Sequence, residues 1–416
     1  MSAPIYRARP NAFDIKPASQ TETQKVNDFI HLSEGLSNSY MISTSEGRIV
    51  INTGMGFEAP VHKDVYDKAD SSATRYILLT QGHVDHVGGV DHFREDGTDV
   101  VAQANNPEHQ EYDARIQTFR TMRSFFAFAE AITAAGRMPG AKKPAKQSIP
   151  TPTILFDDHH RLELGGLEIE LFATPGGETR DSLIAWLPQH RICFVGNLFS
   201  ALFGHIPNLV TIRGDRYRDP MEFVESIERV RDLEPEVLLV GHGGPIHGAE
   251  RIREEIERVR GAVLYLQAEV VKGMNAQKTV HQLMREIELP PELEVGQGYG
   301  KVSWDVRAIW ELYAGWFHAS STTELYPEPV STVYEDLVEL AGGAERVASG
   351  AAAKVAAGDP VAAIHLAEIA LAADDANATA LRASRDAHCQ LEEKSVNFWE
   401  TKWLRQQITQ TEKKLG

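Results

Sequence analysis

The sequence predicts an α/β domain followed by an all-helical domain. Short apolar runs typical of buried strands recur between residues 29 and 240, and several end in polar, glycine-rich clusters. From Gly248 onward this strand pattern stops, and apolar residues recur at helical spacing. A chain of 416 residues is also too long for one ordinary domain, so two or three domains are expected.

Composition narrows the class of protein and of partner. Apolar residues make up 42% of the chain and charged residues 24%, which is typical of a soluble globular protein. The net charge of −17 opposes binding to polyanions, so no nucleic-acid partner is expected. The sequence has neither an apolar run of membrane-spanning length nor the apolar core of a signal peptide near residues 1–17. With Cys193 and Cys389 interpreted as free thiols, we expect a cytoplasmic protein without membrane contact.

Two predicted strands and one polar cluster organise the α/β domain. Residues 40–44 and 48–52 flank Ser45-Glu46-Gly47, a pattern typical of a β-hairpin. Further on, the buried strand 76–79 leads into a cluster that contains Gln81, His83, Asp85 and His86. Strand ends are where α/β folds place their chemistry. An amide, two imidazoles and a carboxylate within six residues can face two neighbouring cations.

The segment Gln81-Gly-His83-Val-Asp85-His86 resembles the H-x-H-x-D-H signature of the metallo-β-lactamase superfamily, with Gln81 in place of the first histidine. The resemblance implies an αββα sandwich that holds metal ions. An amide oxygen can coordinate a metal, but it is a weaker ligand for zinc than imidazole. Asn52 falls where the superfamily usually has the aspartate of Asp-Thr-Gly, so the implied brace of the metal loop carries no charge.

Three later segments resemble further motifs of the superfamily and of its alkylsulfatase branch. The turn that contains Glu178 is where that branch has a glutamate ligand, although a solvent-facing loop glutamate is the alternative. Asn197 follows a buried strand at the position of the carboxylate that normally bridges two metals. His242, in a Gly-His-Gly segment after the strand 237–240, fits the last metal ligand.

The resemblance implies two divalent metal ions, with Zn²⁺ expected. Gln81, His83 and Glu178 would hold the first, and Asp85, His86 and His242 would hold the second, with Asn197 between them. Catalysis would use a metal-bound water together with Asp85. Arg213 and Tyr299 lie in segments that resemble alkylsulfatase motifs, and both are expected to bind an anionic small-molecule substrate.

The predicted domains are an N-terminal arm (1–25), a catalytic domain (26–250) and an α-helical dimerisation domain (251–416). The last rests on the resemblance of residues 299–317 to the start of the alkylsulfatase dimerisation domain, and its helices have a tetratricopeptide-like pattern that implies a homodimer. Residues 107–150 form a helical insertion that is either a lid over the site or a helix packed on the core. Its arginines (Arg115, Arg120 and Arg123) are either substrate contacts or solvated.

The leading functional hypothesis is a metal-dependent hydrolase of the alkylsulfatase-like branch, acting on a small anionic sulfate ester or other ester with an apolar part. One alternative is a hydrolase of carboxylic esters, lactones or phosphoesters. Another is a degenerate, non-catalytic dimeric binding protein, because amides stand at three positions where the resemblance implies charged or imidazole groups. These positions are Asn52, Gln81 and Asn197.

Overall fold

The computed structural model describes residues 2–135 and 147–416, which form two compact units, Met1–Tyr313 and Ala314–Gly416. The first unit contains two β-sheets and helices, whereas the described elements of the second unit are all helical. The predicted order, an α/β domain followed by a helical domain, is therefore confirmed.

The first sheet has seven strands, and neighbours in the sheet are also neighbours in the chain. They are β1 (Gln24–Lys25), β2 (Ile30–Ser33), β3 (Ser39–Thr44), β4 (Gly47–Ile51), β5 (Thr74–Leu78), β6 (Asp99–Gln103) and β7 (Ile154–Phe156). β1 to β4 pair antiparallel, and β3 and β4 form the predicted hairpin. β4 to β7 pair in parallel, so the residues that follow β4 and β5 meet at one edge of the sheet.

The second sheet has six strands in the order β13-β12-β11-β10-β9-β8. They are β8 (His159–Leu164), β9 (Leu167–Ala173), β10 (Leu183–Leu187), β11 (Ile192–Gly196), β12 (Val237–Val240) and β13 (Ile246–His247). β10 is antiparallel to both β9 and β11, and β11 is parallel to β12. Thus β9, β11 and β12 run in the same direction and their carboxyl ends share one edge.

Helices cover the outer faces of both sheets. The first unit contains α1 (Ala59–Ala69), α2 (Val84–Val87), α3 (Val90–Phe93), α4 (Asn106–Arg115), α5 (Gln117–Ala135), α6 (Pro220–Asp232), α7 (Ala249–Asn275), α8 (Val280–Glu286) and α9 (Val302–Ala314). Side-chain alternation along β4 divides the core: Ile49 and Ile51 pack between the two sheets, whereas Val50 packs against α1 and α3. The result is the four-layer αββα sandwich implied by the sequence.

The boundary between the two compact units differs from the predicted boundary at residue 250. Helix α7 follows the last strand, but its apolar face joins the core on the outer side of the second sheet through Ile252, Ile256 and Val259. Val306 and Ile309 of α9 belong to the same core. Because these helices bury their apolar faces in the first unit, the compact unit extends to residue 313.

The second unit contains α10 (Tyr334–Ala341), α11 (Ala344–Ala356), α12 (Pro360–Ala373), α13 (Ala378–Glu392) and α14 (Phe398–Leu415). Alanines from three successive helices form its small clusters, for example Ala348, Ala370 and Ala380. Side chains of this size allow the helix backbones to approach closely. Among the residues that the structure describes, no helix combines the length and apolarity needed to cross a lipid bilayer.

Residues of the predicted N-terminal arm lie against the first unit. The backbone oxygens of Ser2 and Ala3 accept hydrogen bonds from Arg258 and Arg251, and Arg7 pairs with Glu294 at 2.6 Å. These contacts tie the arm to the body of the same chain.

Candidate metal centre

The candidate ligands converge because the carboxyl ends of several strands meet between the two sheets. Two backbone hydrogen bonds join the sheets at this point: Leu183 N donates to Thr80 O at 2.8 Å, and Asn38 N donates to Gly241 O at 2.7 Å. The first fixes the loop after β5 against the start of β10, and the second fixes the residue before β3 against the loop after β12. Side chains from both sheets therefore face one another across a rigid gap.

Asp85, His86 and His242 form one compact cluster of possible ligands. One ligand atom from each lies within 4.8 Å of the others, and no other such group of three occurs among the described residues. His86 is fully buried, and its Nδ1 lies 2.9 Å from Nδ2 of Asn52 and 3.1 Å from Oγ of Ser37. Asn52 thus braces the histidine loop with an uncharged amide, as the sequence predicted. These three side chains are the set expected for the second metal.

Gln81, His83 and Glu178, the set expected for the first metal, also lie together. Nδ1 of His83 is 3.0 Å from Nε2 of Gln81 and 3.6 Å from Oε2 of Glu178. All three side chains are buried. Glu178 is therefore not a solvent-facing loop residue, which was the alternative interpretation of its turn.

Asn197 lies between the two groups. Its Nδ2 donates to Oε2 of Glu178 at 3.1 Å and lies 3.1 Å from Nε2 of His242. The backbone at residue 241 passes so close to the Asn197 side chain that a glycine is needed there, since a Cβ would be 1.9 Å from Oδ1 of Asn197. Asn197 therefore contacts one residue of each group.

Burial and neighbouring charge set the protonation of the second group. Burial lowers the pKa of His86 to about 4 and also lowers the pKa of His242, so both imidazoles are neutral near pH 7. Burial alone would raise the pKa of Asp85, but the three nearby histidines outweigh it and the pKa is lowered. Neutral imidazoles beside an ionised carboxylate are the forms that bind metal ions.

The first group is more strongly charged. Burial acts to raise the pKa of Glu178, but His83 and Arg218 outweigh it and hold this pKa well below its usual range. Burial acts to lower the pKa of His83, yet the carboxylates of Asp215 and Glu178 raise it to about 9. Here opposite charges dominate over desolvation.

The donor set fits one or two divalent cations. Among the described residues, three buried polar atoms of the centre have no hydrogen-bond partner: Oε1 of Gln81, Oδ1 of Asn197 and Nδ1 of His242. Leaving a buried polar atom without a partner costs about 1–3 kcal/mol. A cation would satisfy such atoms, and imidazole nitrogens with carboxylate oxygens are usual ligands of Zn²⁺.

The two expected substrate-binding residues border this centre. Nη2 of Arg213 lies 3.4 Å from Nε2 of His83, and the Arg213 side chain is 19% exposed. Burial raises the pKa of Tyr299, the charge of Glu178 raises it further, and Arg213 acts in the opposite direction. Tyr299 is therefore within electrostatic range of both Glu178 and Arg213.

Sequence reasoning missed a group of buried charges next to His83. Asp215 contacts His83, Arg120, Arg213 and Arg218, and its side chain is only 8% exposed. Arg218 also lies 3.9 Å from Glu178. Beside them, a cavity of about 360 Å³ is lined by Glu178, Asp215 and Arg218 together with residues of α4. The nearby Arg213 motif was the available signal for these residues.

The described part of the predicted insertion contacts the loops of the centre. Gln110 Nε2 donates to Gly82 O at 2.8 Å, and Arg123 Nη2 donates to Ile212 O at 2.7 Å. Of the other insertion arginines, Arg120 is buried in ion pairs, whereas Arg115 pairs with Glu111 on the surface. Residues 136–146 of the insertion lie outside the described residues.

His205, which lies in the segment before Arg213, has a structural role. Its ring is buried, and Nδ1 accepts a hydrogen bond from Gly298 N at 2.9 Å. Tyr6 of the N-terminal arm packs edge-on against it.

Comparisons with known proteins agree with this architecture. A linear primary-alkylsulfatase of a Pseudomonas strain is 27% identical over 339 residues, which cover 77% of this chain and 63% of the relative. An alkyl/aryl-sulfatase of Saccharomyces cerevisiae is 24% identical over 348 residues, which cover 78% of this chain and 53% of the relative.

The fold has a solved counterpart. The structure of a stereoselective inverting sec-alkylsulfatase from Pseudomonas sp. matches with a TM-score of 0.82 and 23% identity, covering 94% of this chain and 66% of that one. The chain thus spans less than two thirds of the length of these three relatives.

Two family models match the chain in succession. Residues 279–413 match the model described as alkyl sulfatase dimerisation, and residues 32–242 match that of the metallo-beta-lactamase superfamily. Because the latter covers half of the chain and contains every candidate metal ligand, the chain belongs to the metallo-β-lactamase superfamily, with an alkylsulfatase-type dimerisation domain after its α/β domain.

Proposed function

We propose that the protein is a metal-dependent hydrolase of the alkylsulfatase branch, which cleaves small anionic sulfate esters with an apolar part. The observation that carries this proposal is the pair of donor groups joined by Asn197, with Arg213 beside them. The alkylsulfatase names of two curated relatives supply the substrate class.

In this proposal Gln81, His83 and Glu178 hold one cation, and Asp85, His86 and His242 hold the other. Zn²⁺ is the cation we expect, since three of the six side chains are imidazoles. When bound, two such cations lower the pKa of a water molecule and offset negative charge on the leaving oxygen. The neutral Asn197 leaves the pair more positive than a set with a carboxylate at this position, whereas Gln81 is a weaker ligand than histidine without a change in charge.

The side chains around the pair would bind and orient the substrate. Arg213 offers a planar guanidinium that matches the oxygens of a sulfate group in a bidentate manner. Tyr299 would donate its hydroxyl proton to the same group, since its raised pKa keeps it protonated near pH 7. Asp85 is the ligand-set residue whose side chain reaches solvent, at 28% exposure, and its ionised carboxylate can accept a proton from an attacking water.

An exposed apolar surface on α5 supports a substrate with an apolar part. Phe119, Met122 and Phe125 are 57%, 75% and 57% exposed, and the ring of Phe119 borders Gly214 next to Arg213. Their spacing of three residues places them on one face of the helix. We propose that this face receives the apolar part of the substrate, which is the role of the lid considered from the sequence.

We also propose that the protein is a homodimer. The second unit exposes large apolar side chains, including Trp316, Val330 and Leu340 at 72%, 72% and 84%. Such side chains are more often found at interfaces than scattered in this number on one small helical unit. The match of residues 279–413 to a dimerisation family agrees with this assignment.

The decisive experiment measures metal content and hydrolysis in the same preparations. Full-length protein purified without chelator is analysed by elemental mass spectrometry and assayed with alkyl sulfates of several chain lengths, carboxylic esters, lactones and phosphoesters. His83→Ala and His86→Ala should each lose metal and activity. His92→Ala serves as the matched control, because His92 lies on α3 outside the donor groups.

Each outcome has a distinct meaning. Sulfate-ester hydrolysis that depends on His83 and His86 supports the proposal. Hydrolysis restricted to another ester class would replace the substrate, and metal binding without any hydrolysis would favour the dimeric binding protein. Full metal content and full activity in both alanine variants would refute the metallohydrolase.

A further inference from the structure

Asp215 is a buried carboxylate for which the superfamily resemblance gave no role. Its Oδ1 accepts a hydrogen bond from Arg120 Nη2 at 3.1 Å and another from Arg216 N at 2.8 Å. Its Oδ2 lies 3.8 Å from Nε2 of His83, 3.7 Å from Nη2 of Arg218 and 3.9 Å from Nη2 of Arg213. Among the described residues, this Oδ2 has no hydrogen-bond partner within normal bonding distance.

The position of Asp215 distinguishes the two nitrogens of His83. Nδ1 faces Gln81 and Glu178, on the side of the first metal position, whereas Nε2 faces Asp215. A carboxylate opposite Nε2 favours the tautomer that carries its proton there. That tautomer leaves the lone pair of Nδ1 directed at the metal, and an ionised neighbour makes the imidazole a stronger ligand.

Asp215 also compensates a close approach of two hydrogen-bond donors. Nη2 of Arg213 lies 3.4 Å from Nε2 of His83, a contact that is unfavourable when both atoms carry hydrogens. Both groups face the same carboxylate oxygen, which attracts each of them. One side chain can therefore fix a metal ligand and a substrate-binding residue relative to each other.

Arg120 lies between Asp215 and a second carboxylate, that of Asp113. Arg120 forms a close ion pair with Asp113 through Nη1 while Nη2 bonds to Asp215. Helix α5 thereby anchors the loop that carries Asp215. Asp113 itself is not among the contacts of His83 that the structure gives, so the two carboxylates can be separated by mutation.

We infer that Asp215 is a positioning residue that orients His83 toward the first metal and Arg213 toward the anionic group of the substrate. The inference rests on the proposed function, because both oriented groups belong to the site proposed there. It adds a residue to that site which contacts neither the metal nor the substrate directly.

The test is a Co²⁺ titration of chelator-treated full-length protein, followed by visible absorption and by competition with a chelator. Asp215→Asn should weaken first-site affinity about 10- to 100-fold, the usual effect of losing such an outer partner, and leave second-site affinity unchanged. Repeating the titration in a His86→Ala background, which lacks the second metal site, shows whether the weakened Co²⁺ dissociation constant belongs to the first metal site. Asp113→Asn is the matched control and should bind Co²⁺ like the wild type.

Kinetics provide a second readout. Asp215→Asn should raise the KM for alkyl sulfates more than it lowers kcat at saturating metal, because Arg213 loses its anchor. Asp215→Glu, which keeps the charge, should recover at least part of the metal affinity. If Asp215→Asn does not fold, Asp215→Glu still tests the inference, since moving the carboxylate by one methylene should change first-site affinity.

The possible failures are distinguishable. Wild-type protein that binds no Co²⁺ would contradict the proposed function. Wild-type protein that binds two equivalents, with first-site affinity unchanged in Asp215→Asn and Asp215→Glu, would contradict this inference alone. Equal weakening of both sites in Asp215→Asn and Asp113→Asn would make Asp215 a structural residue and also overturn it.

Discussion

Replacing Asn197 with aspartate should destabilise the metal-free protein and strengthen metal binding. Nδ2 of Asn197 donates to Oε2 of Glu178 at 3.1 Å, and the residue is buried. An aspartate would place a second carboxylate oxygen against Glu178 and would remove this hydrogen bond. With cations bound, the same added charge becomes attractive and restores the bridging position of the superfamily.

The distance between the side chains of residues 197 and 178 gives the size of the destabilisation expected in the metal-free protein. At the observed 3.1 Å and an effective dielectric constant of about 20, two unit charges repel by about 5 kcal/mol. Uptake of a proton by the carboxylate pair relieves part of this repulsion, so 5 kcal/mol is an upper bound for the metal-free state. A decrease in Tm of several degrees is therefore expected for chelator-treated Asn197→Asp protein.

Asn106→Asp is a matched control for this measurement. Asn106 is fully buried, and its Nδ2 donates to Oδ2 of Asp181 at 2.7 Å, so the substitution also opposes two buried carboxylates. It should lower the Tm of metal-free protein without increasing zinc affinity. Thermal unfolding and chelator competition are measured on the wild type, Asn197→Asp and Asn106→Asp. An Asn197→Asp protein with wild-type Tm and wild-type zinc affinity would refute the bridging position.

Four further outcomes are expected. Arg213→Lys should raise the KM for anionic substrates at unchanged metal content, because lysine lacks the bidentate guanidinium; equal KM values would make Arg213 structural. Gln81→His should tighten zinc binding in chelator competition, since imidazole is the better ligand, and an unchanged affinity would remove Gln81 from the ligand set. Burial raises the pKa of Glu58 from 4.5 to about 7. Its protonated form therefore contributes roughly 3 kcal/mol to the free energy of unfolding, fully below pH 4.5, and this contribution is lost as pH rises through 7. Denaturation of chelator-treated protein should show the decline in stability, and Glu58→Gln should flatten it. Light scattering at micromolar concentration should give the mass of a dimer, and a monomer would contradict the role of the second unit.

Much of the fold was predictable because apolar periodicity reports directly on burial. The hairpin of β3 and β4, the strand β5 and the helical second unit all follow from spacing along the chain. The boundary of the compact units, after residue 313, differs from the domain boundary predicted at residue 250 for a physical reason. The 3.6-residue period of α7 shows that one face is buried, but it does not show which core buries it, and that core is the second sheet.

The candidate ligands could be proposed from the sequence because their segments resemble superfamily motifs, and the structure brings these segments together where the carboxyl ends of strands meet. Asp215 and Arg120 could not, since charged residues in a loop or on a helix are usually solvated and no periodicity marks the exceptions. Their burial depends on each other: Arg120 is tolerated inside because Asp113 and Asp215 neutralise it. Such mutual compensation between distant segments is visible only in three dimensions.

The loop of the first unit that leads to Arg213 depends on residues that belong to the dimerisation match. Oδ1 of Asp305, on α9, accepts a hydrogen bond from Leu209 N at 3.3 Å, and Ile206 N donates to Gly296 O at 2.9 Å. The backbone at residue 300 passes so close to the backbone at residue 207 that a Cβ at Gly300 would lie 2.4 Å from Pro207 O. These contacts hold the start of the loop that continues to Arg213. Since Tyr299 lies in the same segment, the family match that begins at residue 279 includes residues that pack within the first compact unit.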